Sequence, residues 1–449
     1  MNVFINRERE LEFLERMYER GGAELIIIYG RRRIGKTYLI KKFLEGKRGI
    51  YLIVSTEKVL EDFSRSISEQ MGIYRPMLNS YRDFFQFIAE LSSKERLSVV
   101  IDEFQRLPDS FLLSLQEAWD SYLSRTKVFM ILSGSSVGVI ERVAMSSSSP
   151  IFGRRTGQIK LGPFSFLHAM EFMQSYTPED KVRGYSAFGG TPAYLSMLSN
   201  RTLLENIREL IVSQYGPLHE EPYFLLASET REPIKYMSIL ESIAHGATTF
   251  GEISSKSGVS QNELPRYLRT LERSLDLVKR DYPILEEKKR GRARYYVKDN
   301  FFKFWFKFVR PNLHLIELGE VERVMEKIKA ELDSHASGAF EEIALEHFSR
   351  VTKASRVGRW WRGDLEIDGV ALDEAEGIAF FMEAKWSKKP VGKSVLRELE
   401  RKAGEFEWRK EKRKEVYYIY ARSFSFEPEE GVFLVSLEDL MKSAKSMTR

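Results

Sequence analysis

Gly30-Arg31-Arg32-Arg33-Ile34-Gly35-Lys36-Thr37 follows at once on the apolar run Leu25–Tyr29 and leads into a helical pattern. This is G-x-x-x-x-G-K-[ST] in a strand–loop–helix setting, a combination suited to nucleotide phosphates. The glycines let backbone N–H groups wrap the phosphates and the helix presents its positive end. Lys36 reaches the β/γ oxygens, and the Thr37 hydroxyl is placed to ligand Mg²⁺. The alternative, a basic turn without a ligand, does not account for the partner run. Leu97–Glu103 is an apolar strand ending in two acids, and a parallel sheet places such a strand end beside the loop. Asp102 is expected to hold Mg²⁺ through water. Glu103 is expected to orient the attacking water, since phosphoryl transfer needs positioning and charge compensation more than covalent help; otherwise it is a solvated strand-end acid. A third apolar run, Val128–Leu132, ends in Ser133, whose hydroxyl is a candidate to face the γ-phosphate.

A second chemically suggestive pattern lies near the other end. In Gly363–Ala371 the acids Asp364, Glu366 and Asp368 alternate with Leu365 and Ile367, so the acids are predicted to share one face of a strand. After the turn Asp373–Gly377, the run Ile378–Trp386 puts Glu383 and Lys385 on a common face, beside the first strand's acids if the two pair as a hairpin. An acid from one strand with E-x-K from the next can hold Mg²⁺ on two carboxylates and leave a lysine to position or deprotonate water. A cross-strand surface ion pair is the alternative. Lys388, Lys389, Lys393 and Arg409–Lys414 add a basic face for a phosphate backbone.

Between these sites the sequence must supply elements that position them. Arg154 and Arg155, after a serine-rich loop, are candidates to compensate transition-state charge at the γ-phosphate, in cis or across a subunit interface, or are surface arginines pairing with acids. Helical spacing from Ile234 to Ala244, a second helix from Thr249 to about Gly258, and a third after Ser260 precede two strand-like runs, Leu277–Arg280 and Arg294–Val297. Three short helices and a hairpin make a winged helix. Arg266, Arg269 and Arg273 would lie on the third helix, and Lys288, Lys289, Arg290 and Arg292 in the hairpin, as DNA contacts. The alternative is a packing module with a solvated basic turn. The Phe301–Phe308 run reads as an aromatic anchor between domains.

The chain's 449 residues imply two to four domains. No cysteine is present, so disulfides and thiolate metal sites are excluded, and carboxylates, six histidines and phosphate oxygens remain as ligands. Mg²⁺ is the expected metal. The net charge of +5, from 70 basic and 65 acidic residues, is too balanced to argue for nucleic acid by itself. No stretch approaches the roughly eighteen apolar residues of a membrane span, and the charged opening is no secretory signal; a cytoplasmic location without membrane partners is expected.

Phe4-Ile5-Asn6-Arg7-Glu8-Arg9-Glu10-Leu11, Gly30 to Thr37, Val99 to Glu103, Phe152 to Arg155 and Gly189 to Leu195 together resemble the archaeal ATPases of the AAA+/STAND group. Glu221-Pro222, the Tyr236–Gly246 helix and Asp299–Phe306 further resemble members with a winged helix and a C-terminal restriction-nuclease-like domain. Asn6 stands where that family's opening usually has glycine. The resemblance spans nearly the whole chain and implies a multidomain α/β protein. Its P-loop parallel-sheet ATPase core would cover residues 1–165, a helical lid 166–228, a winged-helix domain 229–300, linker helices 301–334, and an α/β PD-(D/E)xK restriction-endonuclease-like domain 335–449. It places Phe4 and Arg7 near the adenine, matches Asp368, Glu383 and Lys385 to the nuclease positions, and makes Glu341 the additional acid. The expectation is an enzyme that binds and hydrolyses ATP, uses Mg²⁺, acts on DNA, and as a homo-oligomer could share arginines between subunits. The competing expectation is a regulatory ATPase whose C-terminal domain binds DNA or protein without cutting.

Overall fold

The computed structural model describes residues 6–55, 57–147, 149–286 and 293–447. Phe4, Lys288, Lys289, Arg290 and Arg292 therefore lie outside the described residues. The chain forms two compact units, Met1–Pro163 with Arg269–Asp276, and Phe164–Leu268 with Leu277–Arg449. None of the described helices is long and apolar enough to cross a membrane.

The first unit is built on strands β1 (Glu24–Tyr29), β2 (Gly49–Ile53), β3 (Leu97–Asp102), β4 (Val128–Gly134) and β5 (Gly157–Lys160), in the order β2-β3-β4-β1-β5. All neighbouring pairs are parallel. Every residue of β1, β3 and β4 is buried, which is why these runs are continuously apolar rather than alternating. Leu25, Ile27, Val99, Ile101, Met130 and Leu132 pack against Phe63, Phe84 and Phe111 on one face. Ile26, Ile28, Val100, Phe129 and Ile131 pack on the other against Leu39, Ile40 and Phe43 of helix Lys36–Leu44. The two-residue period therefore sends Asp102 and Ser133, at the ends of their strands, to the side of that helix. Asn6, where the resembled family has glycine, adopts a positive φ of 45°, a region that asparagine tolerates better than most residues.

The second unit contains the helical segment, three short helices with a two-stranded hairpin, and a mixed sheet. Helix Phe250–Ser257 begins at a reciprocal Thr249/Glu252 capping box and ends on left-handed Gly258. Helix Leu264–Arg269 starts late enough to put Pro265 in its first turn, with Ser260 accepting from the Glu263 N–H just ahead of it. β6 (Val278–Asp281) pairs antiparallel with β7 (Arg294–Val297). Phe301, Phe302, Phe304, Trp305, Phe306 and Phe308 are all buried. Gly190 approaches the Phe164 carbonyl so closely that an added Cβ would lie 2.0 Å from its oxygen.

The mixed sheet has the order β12-β11-β10-β9-β8, formed by β8 (Arg356–Arg362), β9 (Leu365–Asp373), β10 (Ile378–Lys385), β11 (Lys414–Ala421) and β12 (Val432–Ser436). β8, β9 and β10 form an antiparallel meander, and β11 returns parallel to β10 after helix Ser394–Ala403. Helix Val321–Thr352 covers one face through Phe340, Ala344 and Phe348. One expectation is corrected here: Asp364 is not on the strand face with the other acids. Gly363, at φ +60°, turns the chain, and the strand begins at Leu365. A second correction concerns the basic face: Arg413 is buried and donates to the carbonyls of Ala403, Phe406 and Trp408. It staples a loop.

Candidate functional site

The phosphate-type loop leaves β1 at its carboxyl end. Gly30 is required by proximity, because a Cβ there would lie 2.3 Å from the Leu161 carbonyl oxygen. Arg33 and Gly35 both take left-handed conformations, φ 65° and 93°, and Gly35 starts helix Lys36–Leu44. Ile34 packs beneath the loop in the core. Arg31 is buried, whereas Arg33 and Thr37 are exposed. The Lys36 ammonium spans the loop, donating to the carbonyls of Gly30 at 2.8 Å and Arg31 at 3.0 Å. Arg7 is held beside the same strand ends, donating to Gly162 O at 2.6 Å and Glu10 at 3.1 Å. Burial lowers its pKa below the ordinary arginine value despite the neighbouring glutamates.

β4 lies between β1 and β3, and its Ser133 is in register with both Ile28 and Asp102. Ser133 Oγ is fully buried and has no hydrogen-bond partner among the described residues. Buried hydroxyls are normally paired, so this orphan beside the loop suits an incoming oxygen. Asp102 Oδ2 accepts from the Tyr51 hydroxyl and approaches Thr37 Oγ1 at 3.5 Å, while Oδ1 accepts from the Glu103 amide at 3.0 Å. Glu103 sits at φ +58°, a conformation that costs a non-glycine residue on the order of 1–3 kcal/mol and concentrates at functional sites. Its carboxylate accepts from Gln105 Nε2 at 2.6 Å and Ser135 Oγ at 2.9 Å.

Sequence reasoning missed Tyr51 and Gln105, and of the serines that close β4 it chose Ser133 over Ser135. Tyr51 lies on another strand with no motif around it, but Gln105 and Ser135 follow strand ends already singled out and were legible as neighbours.

Arg154 is not brought to this loop. Thr156 donates to Leu25 O at 2.8 Å, so the pair precedes β5 at the amino edge of the sheet, opposite Gly30. Arg154 makes a two-pronged contact with Asp120 at 2.7 and 2.6 Å, and the Arg155 guanidinium lies 5.6 Å from the Phe152 ring centre. The Arg155 charge also acts on Tyr29, the residue just before Gly30, opposing the rise that burial gives its phenol.

In the second unit the hairpin pairing places Met382 opposite Gly369, and one step further on the Ala384 amide donates to Asp368 Oδ2 at 2.9 Å. Glu383 is 3% exposed, yet its carboxylate is neutralised twice. Lys385 Nζ donates at 2.7 Å and Lys402, from helix Ser394–Ala403, at 3.0 and 3.1 Å. Burial, reinforced by Glu383 and Glu341, pushes the Asp368 carboxyl up to about 7. Burial also raises Glu341. Lys385 is held above the ordinary lysine value; burial opposes its charge, but the Glu383 contact outweighs it. Among the described residues no group of three or more His, Cys, Asp or Glu side chains is gathered as a metal cage.

Lys402 was also missed, although Leu396, Leu399 and Ala403 are buried on the same helix, and its position three residues after Leu399 points it inward.

Arg266, Arg269 and Arg273 are exposed. Arg266 is engaged by Glu232 and the Tyr267 hydroxyl.

Comparison with known proteins bears on these two halves unequally. Residues 4–198 match the model of an ATPase domain predominantly from Archaea, and residues 305–411 match a family of archaeal and bacterial proteins of unknown function. An uncharacterized protein of Methanocaldococcus jannaschii is 34% identical over 413 residues, covering 89% of this chain and 92% of that protein. An uncharacterized ATP-binding protein of the same organism is 65% identical over 46 residues, covering 10% of this chain and 78% of that protein. Among solved structures, the Walker-type ATPase PABY2304 of Pyrococcus abyssi aligns with a TM-score of 0.51 at 20% identity, covering 68% of this chain and 96% of that one; the likeness is one of fold.

Proposed function

This chain belongs to the archaeal ATPase family defined by these matches, and we propose that it hydrolyses ATP with Mg²⁺ to control a DNA-acting C-terminal domain. The observation that carries the ATPase half is the convergence of Lys36, Thr37, Asp102, Glu103 and the orphaned Ser133 hydroxyl at the carboxyl edge of one parallel sheet.

Gly30 to Thr37 cradle the triphosphate, with Arg31, Arg32, Arg33 and Ile34 shaping the loop and Arg7 beside the base. Thr37 and Asp102 are the residues that would hold Mg²⁺, which supplies charge neutralisation between phosphate oxygens. Glu103, braced by Gln105 and Ser135, orients the attacking water and accepts its proton. Ser133 donates to the γ-phosphate. Arg154 or Arg155 compensates charge at the γ-phosphate, in cis or from a second copy of the chain.

The C-terminal half of the reading rests on the Asp368, Glu383, Lys385 constellation with Glu341 above it. The residues suit a divalent ion by donor chemistry, offering two carboxylates with a lysine alongside. Lys385 then positions the water that attacks a DNA phosphodiester. Arg266, Arg269 and Arg273, and the basic residues Lys288, Lys289, Arg290 and Arg292, are the proposed duplex contacts.

A second reading, a regulatory ATPase with a non-cleaving DNA- or protein-binding tail, is favoured by one observation. Glu383 already carries two lysine ammoniums, and among the described residues no three-acid metal cage forms around it.

The deciding experiment incubates the full chain with duplex, single-stranded and branched DNA in Mg²⁺ or Mn²⁺, with and without ATP, beside Lys36→Ala, Asp368→Ala and Lys385→Ala. Cutting that disappears in the last two supports the nuclease reading. No cutting of any substrate, with ATP turnover still dependent on Lys36, transfers the conclusion to the regulatory reading.

A further inference from the structure

Arg359, in β8, has a side chain only 9% exposed. Its Nε has no hydrogen-bond partner among the described residues. The Glu341 carboxylate lies 3.9 Å from Nη2, too far for a hydrogen bond. Glu341, Glu342, Tyr296 and Asp368 sustain its charge against burial, but none of them supplies the acceptor geometry that the planar fork requires.

Glu342, the other nearby acid, is committed to Lys303 at 2.9 Å. The backbone of Arg359 is fixed from outside its own sheet. Ile284, in the segment after β6, donates its amide to Arg359 O at 2.8 Å and packs against Gly358. On the same side the Tyr296 ring centre lies 5.6 Å from the guanidinium, and Arg294 of β7 pairs with Glu366 at 2.7 Å. The hairpin thus holds a buried cation, short of hydrogen-bond acceptors, among the acids that surround Asp368.

Unmade donors of a buried charged group are costly, and a guanidinium fork matches the oxygens of a phosphate better than those of any neutral ligand. We propose that Arg359 is the phosphate-binding arm of the C-terminal acid site and takes a non-bridging oxygen of the DNA phosphodiester presented to Asp368, Glu383 and Lys385. The inference rests on the reading of that site as one that handles phosphodiesters. It adds that the β6–β7 hairpin positions the arm.

The test uses the full chain and a short labelled duplex, followed by fluorescence anisotropy over a salt series in Ca²⁺, with Mn²⁺ affinity measured separately by calorimetry. Arg359→Ala and Arg359→Gln are each expected to weaken duplex binding about tenfold and to reduce the salt slope by about one, without weakening Mn²⁺ binding. Arg359→Lys, which keeps the charge but loses the fork, should fall between them and wild type. Arg359→Gln preserves most of the side-chain volume, and melting temperatures identify any variant that fails to fold. Wild-type affinity and salt slope in a folded Arg359→Gln overturn the inference; if Asp368→Ala still abolishes Mn²⁺ binding, the underlying reading survives. If Asp368→Ala leaves Mn²⁺ binding untouched, the reading itself falls and the inference with it.

Discussion

The Tyr51 hydroxyl donates to Oδ2 of Asp102, the same oxygen that Thr37 Oγ1 approaches at 3.5 Å. One carboxylate oxygen is thereby shared between a neighbouring strand and the phosphate loop. Burial, followed by the Asp102 contact, holds the Tyr51 phenol far above its ordinary pKa, so it remains a donor at any working pH. A hydrogen bond to a charged group contributes about 1.5–3 kcal/mol. Tyr51→Phe is therefore expected to lower ATP turnover by about tenfold and raise the Mg²⁺ concentration needed for half-maximal rate, leaving nucleotide affinity nearly unchanged. Phosphate release across an Mg²⁺ series checks this, and unchanged Mg²⁺ dependence would reduce the contact to a packing role.

Glu103→Gln keeps the side chain's volume and removes its ability to take a proton. The variant should bind ATP as wild type does and lose about two orders of magnitude or more in turnover. Ser135→Ala, which deletes only a brace 2.9 Å from that carboxylate, should lose much less. Nucleotide-binding fluorescence paired with steady-state hydrolysis distinguishes the two; equal losses would deny Glu103 a role in the chemical step.

Asp368 gives a pH signature with a definite sign. Its carboxyl is pushed up to about 7 by burial and by Glu383 and Glu341, above the value near 4 of an unfolded chain. The folded state therefore binds the extra proton between those limits, and stability falls as pH rises through that window. The slope is at most about 1.4 kcal/mol per pH unit from this group. Asp368→Asn, free of the titration, should melt above wild type at pH 8 and lose that advantage toward pH 4. Metal-free melting curves across that range test it; a difference that does not change with pH would rule the titration out.

The position of Arg154 and Arg155 at the amino edge of the sheet makes a mixing experiment informative. Lys36→Ala loses its own nucleotide site but retains the arginines, and a double Arg154→Ala, Arg155→Ala chain has the reverse defect. If the arginines act across subunits, mixing the two inactive proteins should restore turnover severalfold above their sum, and wild-type rate per chain should rise with concentration. Absence of complementation at concentrations where the chains associate would leave Arg154 as a surface partner of Asp120, a pair contributing roughly 0–1 kcal/mol.

Much of the phosphate site is local and was therefore readable from sequence. Gly30, Gly35, Lys36 and Thr37 lie within one loop, and the all-apolar strands β1, β3 and β4 require burial on both faces. Their carboxyl ends then place Asp102, Glu103 and Ser133 beside that loop. The hairpin that brings Asp368 to Ala384 is similarly short-range, since alternation and a tight turn fix it. Asp364 failed that reasoning because the positive φ of Gly363 ends the strand before it, and alternation carries no information about where a strand stops.

What the sequence determined by itself is the chemistry available in each segment: a loop for phosphates, acids at strand ends, an E-x-K strand, and aromatic residues too numerous to remain in water. What only the tertiary structure decided is which distant groups answer those charges. Strand order set Tyr51 on Asp102 and turned Arg154 to Asp120, away from the loop. Packing of helix Ser394–Ala403 brought Lys402 onto Glu383, and the β6–β7 hairpin fixed Arg359 among the acids. Local patterns follow from backbone periodicity, which a sequence displays directly. Pairings across long chain separations depend on how whole elements pack, and no spacing along the chain encodes them.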